Sequence, residues 1–178
     1  MSTPALFVAA LAAASGVVHA EPSTEDLSFL LGEWTVERVH QPGSENERRS
    51  EGSLACARAI EEASIRCEYY FERTNAGPIR DVAYFNYNGV YDAYESIWLS
   101  ATWPVKNTMA APAFGAPTTL IWESTFLIEG GVREWVRTAW SGDGDASFSR
   151  RVDIRTSRDP KGAWRHWMTE TATRIAGE

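Results

Sequence analysis

Ile79-Arg80-Asp81-Val82-Ala83-Tyr84-Phe85-Asn86-Tyr87-Asn88-Gly89-Val90-Tyr91-Asp92-Ala93-Tyr94-Glu95-Ser96-Ile97-Trp98-Leu99-Ser100 is the stretch whose reading decides the fold. From Ile79 to Tyr87 apolar and polar residues alternate, the period of a half-buried strand whose successive side chains point to opposite faces. Asn88-Gly89 follows, a pair that accepts positive φ and gives the strongest two-residue hairpin signal. The run from Val90 to Ser100 answers as the returning strand.

The same rhythm continues in both directions. Upstream, residues 33–40 (with Trp34 and Val36 on one face), 49–59 and 64–74 read as strands, and Asn75-Ala76-Gly77-Pro78 as a turn. Downstream, residues 118–128, 132–141, 146–156 and 163–175 read likewise. Gly130-Gly131, Gly142-Asp143-Gly144-Asp145 and Asp159-Pro160-Lys161-Gly162 separate them. The Gly142 to Asp145 loop mimics part of a calcium loop but lacks the further ligands, so it reads as a hairpin turn. Ser23 and Asp26 form a capping signal ahead of Leu27, Phe29, Leu30 and Leu31, and Gly32 would end a short helix of two turns. No helical period is long enough for a crossover between parallel strands. The expectation is an all-β fold: a closed antiparallel up-and-down barrel of about ten strands with a short N-terminal helix. Residues 101–117 break the rhythm with three prolines and five alanines. That segment is expected to be irregular, either folding over the open end to gate a cavity or forming a subunit interface.

Residues 1–20 read as a signal peptide. Their apolar run, Ala5 to Ala14, has the length of a signal h-region and is too short to span a bilayer. Val18-His19-Ala20 is a small-x-small cleavage pattern followed at once by polar residues, although the n-region carries no Lys or Arg. Residues 21–178 are then expected to form a single domain in the periplasm or outside the cell, with no transmembrane segment. Lys plus Arg total 17 against 24 Asp plus Glu, a net charge of −7. Such a balance, without a basic tract, argues against nucleic acid or anionic lipid as partner. The eight Trp need a core, a pocket or an interface to cover them.

Cys56 and Cys67 lie symmetrically about Glu61 and Glu62 in two strand-like runs. A hairpin turning there sets them opposite each other, within disulfide reach. The alternative is a pair of reduced core thiols. Their spacing suits neither a metal site nor a CxxC redox motif.

Phe29-Leu30-Leu31-Gly32-Glu33-Trp34-Thr35-Val36 resembles the opening of the calycin barrels, in which a short helix feeds a Gly-x-Trp at the start of the first strand. The hairpin from Asp81 to Tyr91, followed by Ser96-Ile97-Trp98, is similar to the central hairpin of small bacterial secreted lipocalin-like domains. These are related to nitrobindin-like and fatty-acid-binding-like barrels. The resemblance implies a structural role for Gly32, for Trp34 and for Arg174, whose guanidinium would stack on the indole where the last strand meets the first.

With Arg174 turned inward, unbroken alternation places Trp164, His166, Met168, Glu170 and Ala172 on the inner face, and Arg165, Trp167, Thr169 and Thr171 outside. Candidate ligand-binding residues are therefore His166, Met168, Glu170, Trp98, Tyr69 and Phe85. The haem-binding relatives use one cavity histidine as iron ligand, which makes His166 the only metal-ligating candidate, and only for haem; no cofactor is otherwise expected. Glu170, His166 and Asp81, with Glu95, are weak candidates for acid–base catalysis, since spacing does not fix the register between their strands. A buried carboxylate there would find an arginine such as Arg137 or Arg150. No nucleophile elbow, phosphate-binding loop, zinc spacing or dinucleotide fingerprint occurs. The sequence thus points to an exported barrel that holds a small hydrophobic or amphipathic molecule. A barrel enzyme (isomerase, cyclase or hydratase) stays open beside it, and neither monomer nor homodimer is favoured.

Overall fold

A computed structural model describes residues 21–72, 78–100, 107–111, 114–115, 119–159 and 161–176. The signal-peptide expectation, residues 1–20, lies outside these. Thr24–Leu30 forms a 3-10 helix, and the Ser23 backbone N–H donates to the Asp26 carboxylate at 2.7 Å. The strands that follow are β1 (Gly32–His40), β2 (Arg48–Ala59), β3 (Ser64–Phe71), β4 (Ile79–Asn88), β5 (Ala93–Ser100), β6 (Asn107–Ala111), β7 (Phe114–Gly115), β8 (Thr119–Ile128), β9 (Val132–Asp143), β10 (Ser147–Thr156) and β11 (Arg165–Arg174).

Among the described residues nine of these strands are long, and they run up and down in antiparallel order. β1 pairs with both β2 and β11, so the first and last strands lie side by side. The sheet curls around a buried concave face. Its other seam is a single register pair, Ala110 with Glu123, between β6 and β8. Among the described residues the sheet is therefore curled without being plainly closed, and they do not show ten full strands. Part of the segment expected to be irregular is strand, since β6 and β7 fall within it; residues 101–106, 112–113 and 116–117 lie outside the described residues.

Two sequence expectations need correction. The β4–β5 hairpin does not turn on Asn88-Gly89: Asn88 pairs with Ala93, leaving a four-residue loop. The Asn88 side chain accepts the Val90 backbone N–H at 3.0 Å, the Tyr87 hydroxyl donates to Asp92 at 2.6 Å, and Asp92 takes the positive φ. These local bonds favour the longer loop. The register moves by four residues, an even number, so each side chain keeps its face.

The second correction lies in β11. Val152 of β10 pairs with Met168, and the next residue, Asp153, pairs with His166. Trp167 is thereby an extra residue in a β-bulge, and a bulge reverses alternation beyond it. His166 shares the outer face with Asp153, and its Nε2 lies 2.8 Å from the Thr169 hydroxyl. Trp167, expected outside, packs instead against Met168, Val152 and Ile154.

The helix-covered end is the apolar half. Leu27, Leu30, Trp34, Trp122 and Trp140 are completely buried there. Trp34 donates its indole N–H to the Leu30 carbonyl at 2.9 Å, and the Arg174 guanidinium carbon sits 4.2 Å over the Trp34 ring. Arg174 also donates to the carbonyls of Leu31 and Asp145. Gly32 has φ +121°, and any β-carbon there would run into the Arg174 guanidinium. Both constraints require glycine at this corner.

Cys56 and Cys67 are register partners and form a disulfide across β2 and β3, with Cα atoms 4.1 Å apart. Reduction is expected to lower stability by about 2–3 kcal/mol through the freed chain entropy of the unfolded state. Thermal melts with and without reductant measure this directly.

Candidate functional site

Register and parity build an interior layer from four neighbouring strands. In each, one inward position separates an apolar residue on the helix-covered side from another residue on the opposite side. On β11 the order is Ala172, Glu170, Met168; on β10 it is Phe148, Arg150, Val152; on β9 it is Trp140, Thr138, Val136; on β1 it is Val36, Arg38, His40. The buried apolar residues accordingly divide into a large cluster around Trp34, Phe85, Trp122 and Trp140 and a small one of Val152, Ile154 and Met168. Arg38, Glu170, Arg150 and Thr138 lie between the two.

Glu170 is the centre of the layer, with 2% of its side chain exposed. One carboxylate oxygen accepts from Arg38, Nε at 2.6 Å and Nη2 at 2.5 Å; the other accepts from Arg150 Nη1 at 2.9 Å. Burial alone pushes the Glu170 carboxyl up, but the Arg150 and Arg38 guanidiniums outweigh it and hold the carboxyl below its ordinary value. It is a fixed anion. Arg38 stacks on Phe71 with its guanidinium carbon 3.7 Å from the ring centroid. Phe71 fits there because its register partner is Gly52, where a β-carbon would collide with the Phe71 ring. Arg150 stacks on Trp98 at 4.4 Å and reaches Trp140 at 5.4 Å.

Around this triad several buried polar atoms have no hydrogen-bond partner: Arg150 Nε, Trp98 Nε1, Trp140 Nε1, Tyr69 Oη, Ser96 Oγ and Asp81 Oδ1. Burial, reinforced by Glu170, pushes the Tyr69 phenol up, so it keeps its proton. The Tyr69 and Trp98 rings are 5.0 Å apart, and Trp98 and Trp140 are 6.4 Å apart. Phe85 contacts Trp98, Trp122 and Trp140.

The structure thus brings together Tyr69, Asp81, Phe85, Trp98, Met168 and Glu170 on the concave face, and leaves out His166, which the bulge turns outward. A haem iron ligand at His166 does not fit this geometry, because the imidazole is bonded to Thr169 away from the interior. Glu95 is also on the outer face, between the amides of Asn86 and Asn88, because its neighbours Tyr94 and Ser96 point inward. Arg137 pairs with Glu123 outside. Arg38 and His40 escaped sequence reasoning, although β1 alternation from Trp34 places both inward. Glu134 did too: it occupies an inward register position beyond Val136, and burial raises its pKa.

No family profile matches the chain, and no curated protein matches it in sequence. Solved structures do resemble it. Rv2717c from M. tuberculosis superposes with a TM-score of 0.58 at 12% identity, over 85% of this chain and 96% of that one. The S-type phycobiliprotein lyase CPES from Guillardia theta gives 0.57 at 10% identity, over 88% and 95%. At these identities the likeness concerns the fold alone, an antiparallel up-and-down β-sheet curled into a barrel shape.

Proposed function

We propose that this protein is an exported binding module that takes up a small amphipathic molecule in its barrel interior. The observation that carries the reading is the buried Arg38–Glu170–Arg150 layer together with six buried polar atoms, on Arg150, Trp98, Trp140, Tyr69, Ser96 and Asp81, that have no hydrogen-bond partner. Unsatisfied buried polar groups are costly, commonly about 1–3 kcal/mol each, and a folded protein retains them where something else completes their bonds. Aromatic walls with a few polar groups are the usual lining of a small-molecule site. The cross-strand disulfide suits an oxidising compartment, which supports export.

The enzyme alternative asks Glu170 to exchange a proton, and two guanidiniums oppose that. Native mass spectrometry of protein isolated from its own source without detergent tests the reading. A small-molecule adduct released on denaturation is expected. A bare polypeptide mass, together with failure to take up an added fatty acid or alcohol, would contradict it.

A further inference from the structure

The outer face of the sheet changes character from one half to the other. On β11 the outward positions past the bulge are Thr169, Thr171 and Thr173, the polar side expected where an antiparallel sheet meets water. On β4 and β5 they are Val82, Tyr84, Ile97 and Leu99, because the alternate residues Ala83, Phe85 and Trp98 are buried in the core. Register makes these four a square, with Val82 paired to Leu99 and Tyr84 to Ile97. Tyr70 of β3 extends the square, under the Arg80 guanidinium at 5.2 Å. Tyr70, Ile97 and Leu99 are 39%, 40% and 42% exposed, so the face is open apolar surface and calls for a partner.

The charges around the square are ordered along the strands. On β3, Glu68 is level with Val82 and Arg66 with Tyr84. Arg80 lies one outward step beyond Val82. At the other end Glu95, level with Asn86, lies one outward step beyond Tyr84 and Ile97. Consider a two-fold axis in the plane of the contact, perpendicular to the strands and midway between the Val82–Leu99 and Tyr84–Ile97 rows. It exchanges the two rows. Val82 and Leu99 then meet the partner's Tyr84 and the partner's Ile97, Glu68 meets the partner's Arg66, and Arg80 faces the partner's Glu95. Every charge meets its opposite. In the single chain Arg66 and Glu68 form an ion pair with both side chains well exposed. Glu95 accepts from the amides of Asn86 and Asn88, and Arg80 stacks on Tyr70, so neither has a charged partner among the described residues.

We infer that this face is a homodimer interface, on which a second copy packs β3, β4 and β5 against their own counterparts about that axis. Face-to-face sheets of this kind pack with strands nearly aligned, and a two-fold contact uses each complementary pair twice. The apolar square is small beside the roughly 800 Å² per partner of a standard interface, so a dissociation constant in about the micromolar range is expected.

Sedimentation velocity of the disulfide-bonded protein across the micromolar concentration range tests the inference. The wild type is expected to pass from monomer to dimer. Ile97→Asp should weaken association at least about tenfold, since it puts a charge into the apolar centre. Arg66→Glu and Glu68→Arg each set like charges across the axis and should weaken it similarly. Melting curves of all three should stay close to the wild type, because the altered side chains are exposed. Mixing the Arg66→Glu and Glu68→Arg proteins should restore a dimer, because unlike charges again oppose each other at both positions. A wild type that stays monomeric throughout would overturn the inference and leave the face to a different protein. A dimer indifferent to Ile97→Asp would place the contact elsewhere and overturn it too. Weakened single variants that fail to pair on mixing would overturn the two-fold arrangement.

Discussion

Trp34→Ala is expected to lower stability by about 3–5 kcal/mol, the range for truncating a buried aromatic ring. The indole is completely buried, and it links the 3-10 helix, through Leu30, to the seam between β1 and β11. Its ring also meets Phe148 edge to face at 4.9 Å. Arg174→Ala should cost less, because its guanidinium contributes a cation–π contact of about 0.5–2 kcal/mol plus carbonyl bonds at an exposed edge. Melting experiments on both single variants and the double variant give the coupling, which is expected to be positive since either truncation abolishes the stacking. An unchanged melting temperature for Trp34→Ala would show that the helix-covered end is held by something else.

The second large effect is at Glu170. Glu170→Gln leaves two guanidiniums facing each other in a buried layer without their anion, and breaking a buried pair this way costs about 3–5 kcal/mol. The sign with pH follows from the lowered carboxyl. A carboxylate whose folded pKa is depressed contributes stability that is fully present above its ordinary value of 4.5 and is lost as pH falls through the folded value. The wild type should therefore lose stability on acidification below pH 4.5, and Glu170→Gln should lose less over that interval. Chemical denaturation at neutral and acid pH measures both. Parallel pH profiles for the two proteins would mean that Glu170 is not the ionised centre of the layer.

Alternation made most of this architecture legible. Strands β8 to β10 lie within a residue or two of where sequence alone put them, because each carries an unbroken period bounded by turn residues. The side of the sheet on which Tyr69, Phe85, Trp98 and Glu170 lie follows from the same period. What escaped was whatever depends on contacts between strands. The bulge at Trp167 has no local signature, so a single extra residue carried His166 to the wrong face in the sequence reading. The four-residue loop at Gly89–Asp92 arises from side-chain bonds by Asn88 and Tyr87 that compete with the Asn-Gly turn. Arg38 looks like any surface arginine until register brings Glu170 opposite it. Gly52 gives no hint that it makes room for Phe71.

The polar layer as a ligand site is the central claim, and the indole N–H resonances report on it most directly. Trp98 and Trp140 have buried N–H groups without partners, whereas those of Trp34 and Trp122 are already bonded to the carbonyls of Leu30 and Tyr94. In a 15N-labelled sample titrated with dodecanoate, the Trp98 and Trp140 signals are predicted to move downfield and saturate together, with Trp34 and Trp122 nearly still. Shifts confined to Trp135 and to Trp164, which the bulge turns from its expected inner face to stack with Arg137 and Arg155 outside, or no indole shift while calorimetry records binding, would contradict the account.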